Sequence, residues 1–152
     1  MIILPDDLNG PQIRDLLDEH LRDMYSQSPP ESVHALDLDR LRQPDISFWS
    51  AWHETGRLMG CGALKALDET HAEIKSMRTA HAFRRCGVGR AMLAHLVAQA
   101  TGRGFRRLSL ETGTQPGFAA ARGLYESFGF ETCGPFADYV EDPNSVFMTL
   151  RL

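Results

Sequence analysis

From the amino terminus, the first periodic signal is helical. Ile13, Leu16, Leu17, Leu21 and Met24 fall on one face of a helix predicted over Pro11 to about Ser26, with Asn9 or Gly10 as cap and Pro11 in the first turn. Ser28-Pro29-Pro30 breaks that pattern, and Glu31 to Arg42 reads as a shorter second helix ending before Pro44. Ile46 to His53 and Arg57 to Leu67 then read as antiparallel strands about a turn at Glu54-Thr55-Gly56, with Trp49 and Trp52 as core or edge packing. Ala72 to Thr79 alternates in side-chain character after the turn-like Asp68-Glu69-Thr70, which predicts another strand. Beyond it, Val88, Met92, Leu93, Leu96, Val97 and Ala100 line one broad helical face, closed by Gly102 and Gly104. Arg107 to Thr112 is a strand, about Phe118 to Phe128 a helix closed by Gly129, and a further strand begins at Phe130. The second half therefore runs strand, glycine turn, helix, strand, helix, strand.

Composition narrows the class. At 152 residues, 43% hydrophobic and 24% charged, the chain has the size and balance of one soluble domain over residues 1–152. Sixteen Lys and Arg against twenty Asp and Glu leave a net charge of −4, with no basic stripe beyond one short cluster, so no nucleic acid is expected as a partner. No apolar run reaches membrane-spanning length. Met1 to Gly10 carries Asp6 and Asp7 and lacks the basic and apolar regions of a signal peptide, so no membrane association is expected either. Cys61, Cys86 and Cys133 are odd in number, which fits a reducing cytoplasm. Neither they nor His20, His34, His53, His71, His81 and His95 show metal-ligand spacing, so no metal is expected. A homodimer is left open.

The basic cluster is Arg84-Arg85-Cys86-Gly87-Val88-Gly89-Arg90, at the junction between a predicted strand and a predicted helix. The first turn of a helix has backbone N–H groups without intrahelical partners, and the helix dipole places partial positive charge there. Glycines at 87 and 89 remove the side chains that would hold a diphosphate off those amides, and Arg84, Arg85 and Arg90 add charge. A P-loop would need Gly-Lys-Ser/Thr, which is absent. A dinucleotide fingerprint would need a third glycine where Met92 stands.

Placed between these elements, Arg84-Arg85-Cys86-Gly87-Val88-Gly89 resembles the acyl-coenzyme A binding signature of the GNAT N-acetyltransferase superfamily. Leu124-Tyr125-Glu126-Ser127-Phe128-Gly129-Phe130 resembles its second signature. The likeness covers the whole chain, most specifically Glu73 to Phe130, and is closest to small stand-alone bacterial members. It implies an α/β (α+β) fold: a mixed, mostly antiparallel twisted sheet with flanking helices, whose central parallel strands, from Ala72 and from Arg107, splay apart to admit the pantetheine arm of acetyl-coenzyme A.

The resemblance also assigns roles. Tyr125 matches the tyrosine that protonates the departing thiolate. Glu73, fourteen residues ahead of Gly87, matches the general base of the lysine-modifying branch, with Glu111 on the other splayed strand as its rival. An alkylammonium of pKa ~10.4 must lose a proton before it can attack a thioester, so a base or a relaying water is needed. The amides of Met77 and Thr79 match contacts to pantetheine and the thioester carbonyl, and residues 84–90 (Arg84, Arg85, Cys86, Gly87, Val88, Gly89, Arg90) match the diphosphate turn. One departure is Phe118, where the family often places an asparagine on the coenzyme arm. His34 is the histidine placed on the acceptor side. The late loop Phe136 to Pro143, with Asp138, adds to acidic segments at Asp18, Glu19, Asp23, Glu31, Asp37 and Asp39. Local negative potential of this kind selects a small cationic, zwitterionic or peptide-like amine. The expected activity is acetyl transfer from acetyl-coenzyme A to a primary amine by direct attack in a ternary complex. The alternative is a catalytically idle acyl-coenzyme A sensor.

Overall fold

The computed structural model describes residues 1–152. Its elements run β1 (Ile2–Pro5), α1 (Pro11–Gln27), α2 (Leu38–Leu41), β2 (Ile46–Trp52), β3 (Leu58–Ala66), β4 (His71–Thr79), α3 (Val88–Gly102), β5 (Arg107–Gly113), α4 (Ala119–Ser127), β6 (Glu131–Cys133) and β7 (Ser145–Arg151). The strands form one sheet in the order β1-β2-β3-β4-β5-β7-β6. Every pairing is antiparallel except β4 with β5, whose crossover is α3. This is the mixed sheet the family resemblance implies.

Each face of the sheet carries its own core. On one face, Val88, Met92, Leu93, Leu96 and Ala100 of α3 pack against Leu64, Ile74, Leu108 and Leu110, joined by Tyr125 of α4. On the other, Ile13, Leu16 and Leu17 of α1 pack against Phe48, Cys61 and Ala63. Two glycines of β3 set how closely α3 lies. A Cβ on Gly62 would come within 2.9 Å of Met92 Cγ, and one on Gly60 within 2.7 Å of the Arg78 carbonyl oxygen and 2.9 Å of Val88 Cγ1.

Three readings of the chain are corrected. The expected helix from Glu31 to Arg42 is a single 3₁₀ turn at Pro30–Ser32 and the one-turn α2. Asp37 accepts the Arg40 amide and restarts the helix there, while Val33 is extended (φ −92°, ψ 116°). Leu21 and Met24 are half-buried rather than core, because the carboxyl half of α1 overhangs a cleft instead of the sheet. β1 and β7 are additional strands. β7 places Val146, Met148 and Leu150 toward α3 and Phe147 and Thr149 toward the opposite face, the alternation of a half-buried strand.

β4 and β5 pair over only three positions, His71–Arg107, Ala72–Leu108 and Glu73–Ser109, and then separate. A register irregularity falls opposite β3 at Gly62, where Ser76 and Met77 of β4 face a single residue and Ser76 adopts φ +52°. Such a bulge bends its strand and increases local twist. The bend leaves the later edges of β4 and β5 facing one another unpaired.

Gly60 is the position at which the α3 packing is least able to yield, since the nearest atom is backbone. Gly60→Ala is expected to destabilise the fold by ~1–3 kcal/mol, the usual range for overpacking. A denaturant midpoint unchanged from wild type would contradict this account of the α3 contact.

Candidate active site

The turn before α3 has the geometry of an anion cradle. Arg85 and Gly87 both sit in the left-handed region, at φ +62° and +81°. The backbone N–H groups of Arg85, Cys86, Gly87, Val88, Gly89 and Arg90 make no hydrogen bond within the protein; the first amide of the helix ladder to be satisfied is Ala91, by the Gly87 carbonyl. Six adjacent unpartnered donors at a helix start call for an anion. Gly89 also lets α4 approach, since a Cβ there would lie 3.3 Å from Leu124 Cδ2. Arg84, Arg85 and Arg90 line the adjoining cleft, with the Arg90 guanidinium 5.5 Å over the Phe128 ring. Val88 contributes only its backbone, because its side chain is in the core. Cys86 is exposed and outside the cleft, its thiol directed at the Arg84 carbonyl oxygen, so an amide is all it can offer.

The cleft, about 920 Å³, runs from this turn through the opening between β4 and β5 to α1. Met77 and Thr79 line it from β4, Tyr125 from α4 and Glu111 from β5. Phe118 lines it too, its ring filling the space that a Cβ on Gly113 would need. Tyr125 belongs to the α3-side core and Glu111 projects to the α1 side, so the opening is where the two faces meet. Burial, assisted by Glu111, pushes the Tyr125 phenol up to about 12, which keeps its proton in place at neutral pH. Burial also raises the Glu111 carboxyl, against a hydrogen bond from Ser145 Oγ at 2.8 Å and the charge of Lys75, both of which lower it.

On the acceptor side the charged residues are mostly paired with one another. Arg78 donates to Glu19 (2.8 Å) and Asp23 (2.5 Å), tying β4 to α1. Lys75 donates to Tyr139 Oη at 2.9 Å and to the His34 carbonyl at 3.1 Å, and lies 3.4 Å from Glu73. The Tyr139 hydroxyl in turn donates to Glu73. His34 lines the cleft, edge-on to the Tyr139 ring at 5.0 Å, and burial lowers its imidazole. His20 lines it as well, its buried Nδ1 unpartnered and its imidazole pushed down to about 4 by burial, with Arg78 adding to the effect.

Two residues expected at the site lie elsewhere. Glu73 is 2% exposed and does not line the cleft; one of its carboxylate oxygens is held by both Lys75 and Tyr139. Asp138 is exposed and outside the cleft, and its neighbour Tyr139 is the residue of that loop that reaches the acceptor-side network. The acidic segments divide the same way: Glu19 and Asp23 are spent on Arg78, and Asp142 accepts from Ser32 Oγ at 2.6 Å. Sequence reasoning missed Lys75, Arg78 and His20, whereas Tyr139 belongs to the late loop whose mix of aromatic and acidic side chains suits a cation, and the cation it meets is Lys75. For Lys75 a signal was available, since it follows Glu73 by two residues on one strand and so shares its face. Among His, Cys, Asp and Glu side chains, no group of three or more is arranged to hold a metal ion.

Comparison with known proteins places this geometry. Residues 12–130 match the model of the acetyltransferase (GNAT) family. Over all 152 residues, and over the full length of both proteins, the chain is 59% identical to a Bacillus subtilis (strain 168) protein named uncharacterized N-acetyltransferase YsnE. A Klebsiella pneumoniae structure solved under the name acyl-CoA N-acyltransferase superposes with a TM-score of 0.84 at 28% identity, covering 99% of this chain and 97% of that one. A GNAT family acetyltransferase from Elizabethkingia anophelis, solved with acetyl-CoA bound, shares the fold at a TM-score of 0.70 and 18% identity, over 99% and 97% of the two chains. With a family match over most of its length and a relative this similar from end to end, the chain belongs to the GNAT acetyltransferase family and is an acetyl-CoA dependent N-acetyltransferase.

Proposed function

We propose that the protein acetylates a primary amine, small or peptide-like, by direct attack on acetyl-CoA in a ternary complex, with Glu111 as general base and Tyr125 as general acid. One observation carries this reading: an accessible carboxylate and a buried phenol line the same opening from opposite faces of the sheet. Glu111 is the only carboxylate lining the cleft that is not in an ion pair, as Asp23, the other, is bound to Arg78. A carboxyl raised by desolvation is a better proton acceptor near neutral pH than an ordinary one, and the ammonium of an incoming amine is its natural partner. The Tyr125 hydroxyl makes no hydrogen bond within the protein, unlike its backbone carbonyl, which accepts from Phe128 and Phe130, and its proton is left free for a leaving thiolate.

The residues present fit the coenzyme. The unpartnered amides from Arg85 to Arg90 and the arginines beside them suit a diphosphate. The unpaired edges of β4 and β5, which include Met77 and Thr79, offer N–H and C=O groups to the amides of a pantetheine arm. Bound there, the coenzyme supplies an activated acetyl thioester; orientation, proton removal and proton return fall to the protein. The three cysteines are unpaired, in accord with a cytoplasmic location, and no helix is long and apolar enough to cross a membrane.

The decisive experiment is thiol release from acetyl-CoA against a panel of amines, amino acids and peptides, repeated with variants. Glu111→Gln is expected to lower kcat/KM by at least ~10²-fold near neutral pH and to move the acid limb of its pH profile up toward the amine's own pKa of ~10.4. Tyr125→Phe should lower kcat by roughly 10²-fold with little change in acetyl-CoA affinity. Retention of full turnover by either variant would sink the role given to that residue. Gly87→Asp places a like charge in the anion cradle and a side chain where φ is positive, and at least two charge-assisted hydrogen bonds of ~1.5–3 kcal/mol each are at stake. Calorimetry should show acetyl-CoA binding weakened well over tenfold in a folded protein. Asp138→Asn, by contrast, is expected to leave acceptor kinetics unaltered, and a raised acceptor KM would restore that loop to the site.

A further inference from the structure

The last pairing of β4 with β5 is Glu73 opposite Ser109. Two residues further along each strand, on the same face, stand Lys75 and Glu111, the first positions to confront one another across the widening gap. Lys75 is not a loose surface charge. Its side chain is 9% exposed and its ammonium is held by Glu73, by Tyr139 Oη and by the His34 carbonyl, so no ligand is needed to fix it. Tyr139 fastens the same carboxylate, and its ring lies 5.6 Å from the Lys75 nitrogen. A buried ion pair of this kind contributes little net stability compared with apolar packing, which leaves its placement beside Glu111 to be explained.

We propose that Lys75 and Glu73 are a positioning pair that sets the pH range in which Glu111 accepts a proton from the acceptor amine. Lys75 holds Glu111 ionised despite its burial, and Glu73 attenuates that effect so that Glu111 remains basic enough to act. The proposal rests on the reading of Glu111 as general base. The groups facing Glu111 are Lys75 and Glu73 from β4, Ser145 from β7, Asp142 and Tyr139 from the late loop, and Tyr125 from α4. Of the charged ones, Lys75 alone is positive, and it acts against desolvation and two carboxylates. Neither pair member touches the reacting atoms. They act through Glu111.

The test is the pH profile of kcat/KM at saturating acetyl-CoA, with the amine that gives the fastest thiol release. Lys75→Met removes the charge that favours ionised Glu111, so the acid limb should move up by about 0.5–1 pH unit; Glu73→Gln unmasks Lys75 and should move it down by a similar amount. The double variant should return close to wild type, because the opposing charges leave together. Folding is checked by circular dichroism and by acetyl-CoA binding. A carbon-13 NMR titration of Glu111 in Glu73→Gln, which keeps the shape of the side chain, gives the same readout without turnover. Limbs that stay put, or move the same way in both single variants, overturn the proposal while a Glu111→Gln enzyme whose acid limb has moved up toward the amine's own pKa leaves Glu111 as the base. An acid limb that stays at its wild-type position in Glu111→Gln overturns both.

Discussion

The structure turns on a pairing that stops. Two parallel strands at the centre of a sheet normally satisfy each other's backbone groups along their length, and leaving such groups without partners costs ~1–3 kcal/mol each where water cannot reach them. Here β4 and β5 pair at three positions and part. The bend that separates them is built into β4, where Ser76 at φ +52° and Met77 occupy the space of one residue on β3. Ser76 is a non-glycine residue in a sparsely populated conformation, and its hydroxyl is buried without a partner. Local strain of this sort persists only where surrounding packing enforces it. Two sets of contacts enforce it: Cys61 Sγ donates to the Ser76 carbonyl beneath the bulge, and Gly60 and Gly62 let α3 press against β3 on the other side.

That gap makes a sheet, ordinarily a wall between two cores, into a passage. The α3 side supplies the amides of the anion cradle and the Tyr125 phenol; the α1 side supplies Glu111, His34 and His20. Under the proposed mechanism, a donor molecule entering from one face and an acceptor from the other meet at the opening with an acid on one side and a base on the other, so neither proton carrier has to cross the site. The same burial acts on both groups, raising the phenol so that it keeps its proton and raising the carboxyl toward the range in which a base can accept one.

Most of this was legible in the sequence because the relevant physics is local. Glycines at 87 and 89 before a periodic apolar face specify a helix start open to an anion, and alternation from Ala72 to Thr79 specifies a strand, whatever lies around them. What failed depended on tertiary context. The segment after Pro30 carries helix-compatible residues, but the Asp37 cap and the extended Val33 divide it. β7, Ser145 to Arg151, has clear alternation, and its place between β5 and β6 is a property of the assembled sheet. Leu21 and Met24 lie on the apolar face of α1, yet the helix outruns the sheet and delivers Met24 to the cleft.

Under the proposed mechanism, Glu73 shows why a sequence offset alone does not assign a catalytic carboxylate. Its distance from Gly87 places it on the correct strand and, by parity, on the acceptor face, and both inferences are right. The deciding factor is the next residue on that face. Lys75 stands two positions on and Tyr139 arrives from a loop sixty-six residues away, and between them they engage the Glu73 carboxylate. Glu111 has the same side-chain chemistry on the neighbouring strand, but its only hydrogen-bond donor within the protein is the Ser145 hydroxyl, and the strand that would have covered it has turned away. Under the proposed mechanism, the carboxylate held by a cation and a phenol acts on its neighbour, and the one left facing the gap between splayed strands takes the proton.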